Sequence, residues 1–265
     1  MRSVSFLCLL LVCTLAQAEA PPIQQWIDEA IQAGGGVVTI PEGEHVLDKG
    51  LVIKDANKLA LRGVDKERCI LKLAATDDES ALIQITGTCE TLEIASLTLD
   101  SGSGKPQELV LMTGLPEKYQ VPAKPAAPTA SIQDVTLRDC LLQNFPGSAI
   151  SVKHAAAVAI ERCSFRDGTG AAMKWESAQA SVARGNQIIR VATAFNLHSS
   201  HACLLEGNEV RDSQEAISIT SSSPQPEDAR HTLRNNGFFK VAEGLDLSSV
   251  QPAPLCENND PLVTP

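Results

Sequence analysis

Aromatic residues are scarce in this sequence: they make up 3% of its 265 residues, and Tyr119 is the single tyrosine. A core with few aromatic rings must be filled by Val, Ile, Leu and Ala, which suit stacked β-strands better than a compact sandwich. Few exposed rings are then left to stack against sugars.

Basic residues are also in deficit, because 22 Lys and Arg stand against 32 Asp and Glu, for a formal net charge of −10. Binding to nucleic acid depends on neutralising phosphates, so this balance argues against nucleic acid and against an anionic membrane surface. No apolar run reaches the roughly 20 residues needed to cross a bilayer. We therefore predict no membrane insertion.

The first eighteen residues have the pattern of a signal peptide. Arg2 supplies a positive charge, residues 6–15 are apolar, and residues 16–18 read Ala-Gln-Ala, the small-x-small form of a cleavage site. We predict cleavage after Ala18, with Ala20 as the second choice. The expected location is secreted or periplasmic, and residues 19–265 are expected to form a single domain.

No pair of cysteines has the CxxC spacing, which argues against a zinc ribbon and a thioredoxin-like site. The cysteines beyond the signal peptide are Cys69, Cys89, Cys140, Cys163, Cys203 and Cys256. An even number permits disulfides in an oxidising compartment, but six cysteines allow fifteen pairings. Cys140 and Cys163 hold equivalent repeat positions, and both a disulfide and two free thiols fit that stacking.

A repeat of about 22 residues dominates the second half of the chain. Its first motif is a short apolar strand that begins at Ser148, Ala171, Thr193, Glu215 and Glu243. These starts are 23, 22, 22 and 28 residues apart, and the last interval contains a loop rich in Ser and Pro. A second motif keeps step with the first over residues 135–208. Such a unit cannot bury its apolar side alone, so it must stack on its neighbours.

We therefore predict an all-β fold, a right-handed parallel β-helix (a solenoid) of about eight coils. Period-two alternation predicts one inward ladder formed by Ile150, Met173, Phe195, Ile217 and Leu245. It predicts a second inward ladder formed by Val152, Trp175, Leu197, Ile219 and Leu247. Trp175 is thus expected in the core and not as a platform for sugars. The outward residues between the ladders are Ser151, Lys174, Asn196, Ser218 and Asp246.

Three further segments complete the expected architecture. Apolar residues at helical spacing over Ile23 to Ala33 predict an amphipathic helix that caps the first coil. Residues 114–129, with four prolines and Tyr119, predict a projecting loop, either a functional element or a plain insertion. Residues 249–265 predict an irregular C-terminal tail that covers the other end.

The stretch AIQAGGGVVTIPEGEH at residues 30–45 resembles the opening of pectin lyase-like proteins, where a cap helix leads through glycines into a first strand and a Pro-x-Gly turn. The coil motifs over residues 135–247 resemble the parallel β-helix repeats of the same superfamily. That superfamily includes pectate lyases, polygalacturonases, alginate-acting enzymes and noncatalytic adhesins. The resemblance implies the fold and a polysaccharide or cell-surface glycan as partner, but fold alone does not assign an activity.

The resemblance also implies candidate catalytic acids. In polygalacturonase-like members, acids stand just before a Gly-Ile-x-Ile strand, and Glu215 and Glu243 hold that position here, with Asp246 nearby. Backbones of neighbouring coils lie about 4.8 Å apart, and carboxylates that close can divide acid and base roles. The family uses Asp at these positions, and its Gly-His-Gly coil and Arg-x-Lys motif are missing. The alternative is that both glutamates are solvated turn residues.

The outward strip of Lys174, Glu176, Asn196 and His198 is the second candidate site. Lys174 could serve as the base of a lyase and His198 could support it, while Asn196, Glu176 and Tyr119 are candidate substrate-binding residues. A free lysine has a pKa near 10.4, and Glu176 beside it would raise that pKa when a base needs it lowered. The alternative is a ladder of surface salt bridges, in which Glu176 and His198 pair across neighbouring coils.

Two functions from different classes follow, and the sequence leaves enzymatic status open. The first is a polysaccharide hydrolase or lyase that works along the face of residues 148–247. The second is a noncatalytic glycan-binding or structural surface protein. No organic cofactor is predicted. No metal site is predicted either, although the acidic face leaves calcium open.

Overall fold

The structure, a computed structural model, describes residues 21–74, 81–102, 106–115, 131–221, 229–246 and 252–260. Within these residues one helix, α1 (Ile23–Gln32), precedes 25 β-strands. The strands form three sheets, and each strand pairs with the strand three places before it and the strand three places after it in the chain. Each coil therefore contributes one strand to each sheet, as a solenoid requires.

Sheet A has nine strands and begins next to α1. Its strands are β1 (Gly36–Ile40), β4 (Asn57–Gly63), β7 (Cys89–Ala95), β10 (Ile132–Arg138), β13 (Ala155–Glu161), β16 (Val182–Arg184), β19 (Leu204–Glu206), β22 (Thr232–Arg234) and β25 (Leu255–Glu257).

Sheets B and C have eight strands each, which agrees with the prediction of about eight coils. Sheet B contains β2 (Gly43–Leu47), β5 (Cys69–Leu73), β8 (Thr98–Asp100), β11 (Leu141–Gln143), β14 (Ser164–Arg166), β17 (Gln187–Ile189), β20 (Glu209–Arg211) and β23 (Gly237–Phe239). Sheet C contains β3 (Leu51–Lys54), β6 (Ile83–Thr86), β9 (Glu108–Thr113), β12 (Ser148–Lys153), β15 (Ala171–Glu176), β18 (Thr193–His198), β21 (Glu215–Thr220) and β24 (Glu243–Asp246).

The register of sheet C confirms the two inward ladders as far as the described residues reach. All its pairs are parallel, and Ile150, Met173, Phe195, Ile217 and Leu245 lie side by side on successive strands. Trp175 is fully buried between Val152 and Leu197, so its assignment to the core is confirmed. Because a one-residue slip would turn each strand inside out, the apolar alternation fixes this register.

The predicted cap helix is present over Ile23–Gln32, one residue shorter than expected at its C-terminus. Ile23 and Ile27 are buried against the first coil. The side chain of Gln24 also bonds the edge strand β3, because its amide nitrogen donates to the Val52 carbonyl at 2.9 Å and its oxygen accepts from the Val52 N–H at 2.8 Å. A side-chain amide thus satisfies backbone groups that an open edge would expose.

A ladder of buried asparagines follows the turns from sheet A to sheet B. Asn186, Asn208, Asn236 and Asn259 hold equivalent positions on four successive coils and bond to one another. Each amide of Asn186, Asn208 and Asn236 donates to a backbone carbonyl one coil below and to the next asparagine oxygen at 2.9–3.0 Å. The ladder gives the buried turns hydrogen-bond partners that the sheets do not supply.

Two expectations about the chain need correction or qualification. The tail is not wholly irregular, because Leu255–Glu257 adds strand β25 to sheet A beside β22. Pairing with β22 gives these residues a strand conformation that the surrounding Pro and Asn did not predict. All six cysteines are free thiols, and Cys256 alone among them is exposed. The signal peptide and Tyr119 lie outside the described residues.

Candidate functional site

The two candidate acids are neighbours at the start of two adjacent strands of sheet C. Glu215 and Glu243 begin β21 and β24 and lie side by side in the parallel register, as the repeat predicted. The Thr193 hydroxyl, one coil below, donates to a Glu215 carboxylate oxygen at 3.0 Å. Glu215 is half-buried, whereas Glu243 is exposed.

The second strip also has the predicted register. Lys174 and Asn196 lie side by side on β15 and β18, and so do Glu176 and His198. His198 does not pair with Glu176, however: its Nδ1 atom shares a hydrogen bond of 2.9 Å with the Thr220 hydroxyl on the next strand. Asp246 lies two coils beyond Asn196, in the same row. Lys174, Asn196 and Asp246 therefore share one row across sheet C, and the two glutamates lie in a different row at the start of their strands.

Ser151 departs from the expected outward row. It lies between Leu111 and Lys174 in the register of sheet C, yet it is fully buried and its hydroxyl has no hydrogen-bond partner among the described residues. A buried hydroxyl without a partner is costly and needs a cause, such as a water or a ligand group that it can bind. The orphan hydroxyl lies directly beside Lys174.

Many charged side chains on sheets A and B form ion pairs within their own sheet. Along sheet A, a continuous network of ion pairs links Arg62, Glu93, Arg138, Asp139, Arg162, Glu161, Arg184, Glu206 and Arg234. On sheet B, Lys72 pairs with Glu44 at 2.9 Å and Arg211 pairs with Glu209. The pairs that join adjacent strands, such as Arg62–Glu93, Arg184–Glu206 and Lys72–Glu44, stabilise the sheets that contain them.

Sheet C differs from the other two sheets in this respect. Within the described part of the chain, Lys153, Lys174, Glu176, Glu215 and Glu243 take part in no ion pair. The salt-bridge ladder expected as the alternative for this strip is therefore not formed. Pairing in the register places the backbones of these residues side by side, but it does not by itself bring the ends of their side chains into contact. The ionisable groups of these residues therefore remain available to a ligand.

The remaining sequence expectations concern metal and membrane. The described residues contain no group of three or more His, Cys, Asp or Glu side chains placed to hold a metal ion. No helix among them has the length and apolarity needed to cross a membrane.

Sequence reasoning missed the hydrogen-bond partners Thr193 and Thr220. Both lie in the repeat columns of Glu215 and His198, one coil away, so the 22-residue spacing held the signal. It also missed the ion-pair network of sheet A, whose signal is the alternation of Arg and Glu at equivalent positions 138, 161, 184, 206 and 234.

Comparison with known proteins supports the architecture. Residues 129–260 match the family model described as a right handed beta helix region. No curated protein matched the sequence. Among solved structures, Escherichia coli YbhC is 9% identical with a TM-score of 0.59, over 98% of this chain and 87% of that one.

Two other solved structures share the fold. A mannuronic acid specific polysaccharide family 6 lyase from human gut microbiota is 12% identical, with a TM-score of 0.57 over 89% of this chain. A tailspike of Escherichia coli bacteriophage HK620, solved with a hexasaccharide, is 13% identical, with a TM-score of 0.54 over 89% of this chain. This chain spans 57% of the length of the lyase and 52% of that of the tailspike.

Proposed function

Because this chain is a right-handed parallel β-helix protein whose structural neighbours are of the pectin lyase-like type, we propose that the outer face of sheet C binds polysaccharide. We also propose that the protein is exported and meets its glycan outside the cytoplasm, as the pattern of residues 1–18 indicates.

One observation carries the proposal: among the described residues of sheet C, Lys153, Lys174, Glu176, Glu215 and Glu243 form no ion pair, whereas sheets A and B each contain ion pairs between neighbouring strands. Lys174 can donate to a sugar carboxylate or hydroxyl, and Asn196 and Glu176 can bond sugar hydroxyls. The lyase is named for mannuronic acid and the tailspike was solved with a hexasaccharide, so carbohydrate is a ligand class that this fold accommodates.

Glycan retention in affinity electrophoresis tests the proposal with a panel of polyuronates and neutral polysaccharides. We expect Lys174→Ala and Asn196→Ala to reduce retention on the polymer that binds wild type. Lys66→Ala is the matched control, because Lys66 is also half-exposed but lies between sheets A and B. Retention that is unchanged in both sheet C variants, or reduced equally in the control, would reject this face as the site.

A second function, hydrolysis, is favoured by the adjacency of Glu215 and Glu243 on neighbouring strands. Retaining glycosidases place two carboxyl groups about 5 Å apart and inverting ones about 6.5–9.5 Å apart. In the hydrolase mechanism one glutamate protonates the leaving oxygen while the other acts as nucleophile or base, and Asp246 lies three residues along β24 from Glu243.

Reducing ends and unsaturated products, measured on the same panel, separate hydrolysis, elimination and binding alone. Reducing ends that disappear in Glu215→Gln and Glu243→Gln, but persist in the exposed control Glu67→Gln, would establish the hydrolase. Unsaturated product lost in Lys174→Ala, and weakened in His198→Gln, would establish a lyase. Retention without any product would leave a binding protein.

A further inference from the structure

A second concave surface lies on sheet A, away from the face of sheet C. This sheet A groove crosses β1, β4, β7 and β10 and has a volume of about 520 Å³. Val37 and Ala60 form its apolar floor, and Val37 is 60% exposed. Ala60 lies between Val37 and Glu93 in the register, so its small side chain creates the depression.

One wall of the groove is a column of residues with positive φ. Lys58, Thr91 and Asp134 have φ values of 52°, 57° and 54° on three successive coils. The same column continues over the next three coils as Ala157, Ala180 and Ala202. A β-branched residue at positive φ is unfavourable, and such strain is often found at functional sites. The column therefore carries polar side chains over the groove and alanines on the three coils that follow.

The charges of the other wall are already engaged. Glu93 accepts from Arg62 at 2.6 Å and from Arg138 at 2.6 Å, and Arg138 also pairs with Asp139, so these side chains belong to the ion-pair network of sheet A. Lys58 and Asp134 remain as charged lining residues that form no ion pair within the described residues. They are two strand spacings apart, or about 10 Å along the stack.

We propose that the sheet A groove binds a short zwitterionic ligand of the peptide class. An anionic group at Lys58 and a cationic group at Asp134 complement the two unpaired charges. Three extended residues span about 10 Å, so a tripeptide with free ends matches the separation. The hydroxyls of Thr91 and Thr136, which also line the groove, can bond its amide groups, and the floor of Val37 and Ala60 accepts small apolar side chains.

Calorimetric titration with trialanine tests the proposal, together with trialanine that is acetylated at its N-terminus or amidated at its C-terminus. We expect wild type to bind trialanine and each blocked peptide to bind about tenfold more weakly. Lys58→Asp and Asp134→Lys should each cause a similar loss. The double variant should recover affinity, because the peptide can then bind in the opposite direction.

Two controls keep the result specific to this groove. Lys240→Asp changes an exposed lysine that also has positive φ, 53°, but lies outside the groove, and should leave trialanine binding unchanged. Lys174→Ala, on sheet C, should leave it unchanged too, so that failure of the glycan site and failure of the groove are distinguishable. No trialanine binding, binding that ignores the end groups, or tighter binding of trigalacturonate in its place would overturn the proposal.

Discussion

At the scale of single residues, Asn208 shows how the turns of the solenoid are held. Its amide oxygen accepts from the Asn186 backbone N–H and side chain, and its nitrogen donates to the Ala183 carbonyl and to Asn236. Asn208→Ala leaves the buried Asn186 N–H unsatisfied, so we expect a loss of about 2–3 kcal/mol in the free energy of unfolding. Chemical denaturation measures it.

Asn196→Ala provides the matched control for Asn208→Ala. Asn196 is the same residue type on the outer, half-exposed face of sheet C, where a substitution should change stability by no more than about 0.5 kcal/mol. Equal losses in the two variants would contradict a special role for the ladder.

His231 predicts how stability depends on pH. Burial, opposed by a hydrogen bond to the Ser200 backbone and reinforced by His201, lowers the pKa of His231 from 6.5 to about 4. The unfolded chain therefore takes up a proton between these values and the folded chain does not, so stability falls as pH decreases from 6.5 to about 4. The shift corresponds to about 3 kcal/mol at most.

Denaturation at pH 7, 5.5 and 4 in wild type and His231→Gln checks this dependence. His231→Gln should lose less stability than wild type over that range. The control His198→Gln changes an exposed side chain on β18, and its stability should depend on pH as that of wild type does. Parallel curves for wild type and His231→Gln would show that His231 does not carry the acid sensitivity.

Residue positions were predictable from the repeat, but contacts between side chains were not. The spacing of 22 residues correctly placed Glu215 beside Glu243 and Glu176 beside His198, because it sets backbone register. It could not tell that His198 would bond Thr220, since rotamers at the surface depend on competing neighbours. Ser151 was expected to be exposed because the alternation of apolar residues places it in the outward row. Alternation gives no information about what covers the outer face of a strand.

At the scale of elements, the glycines between α1 and β1 decide whether the cap helix can dock. Gly34 and Gly35 both have positive φ, at 85° and 122°. A Cβ on Gly35 would lie 2.6 Å from the Asn57 carbonyl oxygen and 2.7 Å from that of Lys58, whereas one on Gly34 would meet nothing within 4 Å. We expect Gly34→Ala to cost about 1 kcal/mol and Gly35→Ala about 3 kcal/mol. Thermal unfolding of the two variants compares them, and equal costs would exclude the close approach as the cause.

The ion-pair network of sheet A predicts a second, more acidic transition. Although partial burial raises it, hydrogen bonds and charge from Arg62 and Arg138 lower the pKa of Glu93 overall. Its stabilising contribution is present above the unfolded pKa, near 4.3, and is lost as pH falls through the lower folded value. Glu93→Gln should weaken neutral-pH stability by about 1–2 kcal/mol and flatten the decline below pH 4, as followed by circular dichroism. A decline as steep as that of wild type would contradict this role.

Elements in the second half of the chain were easier to predict than those at its ends. Residues 135–247 repeat with apolar alternation strong enough to set each strand, and the helix over Ile23–Gln32 has a clear apolar stripe. The tail lacked such a pattern, because β25 has three residues and owes its strand conformation to pairing with β22. Tertiary contact, not local sequence, makes that strand.

At the scale of the whole molecule, the three sheets divide their tasks. Sheet A contains a network of ion pairs and a groove at its first coils, sheet B contains local ion pairs, and on sheet C Lys153, Lys174, Glu176, Glu215 and Glu243 form no ion pair within the described residues. The stack of parallel coils permits the three sheets to differ in this way, because a residue type that recurs at the same position of every coil gives one whole face of the solenoid the same charge or polarity. A face can therefore change its role without a change in the core.

Thiol reactivity tests the whole chain, both its fold and its export. Five of the six cysteines beyond residue 18 are buried and only Cys256 is exposed. Native alkylation of protein recovered from the exported fraction should therefore add one label, and denatured alkylation should add six.

Eight labels would mean that Cys8 and Cys13 are retained and that the leader is not removed. Intact mass should also match a chain that begins at Glu19. Several labels under native conditions would show that the coil interior is open, because a closed stack keeps its inward thiols from the reagent.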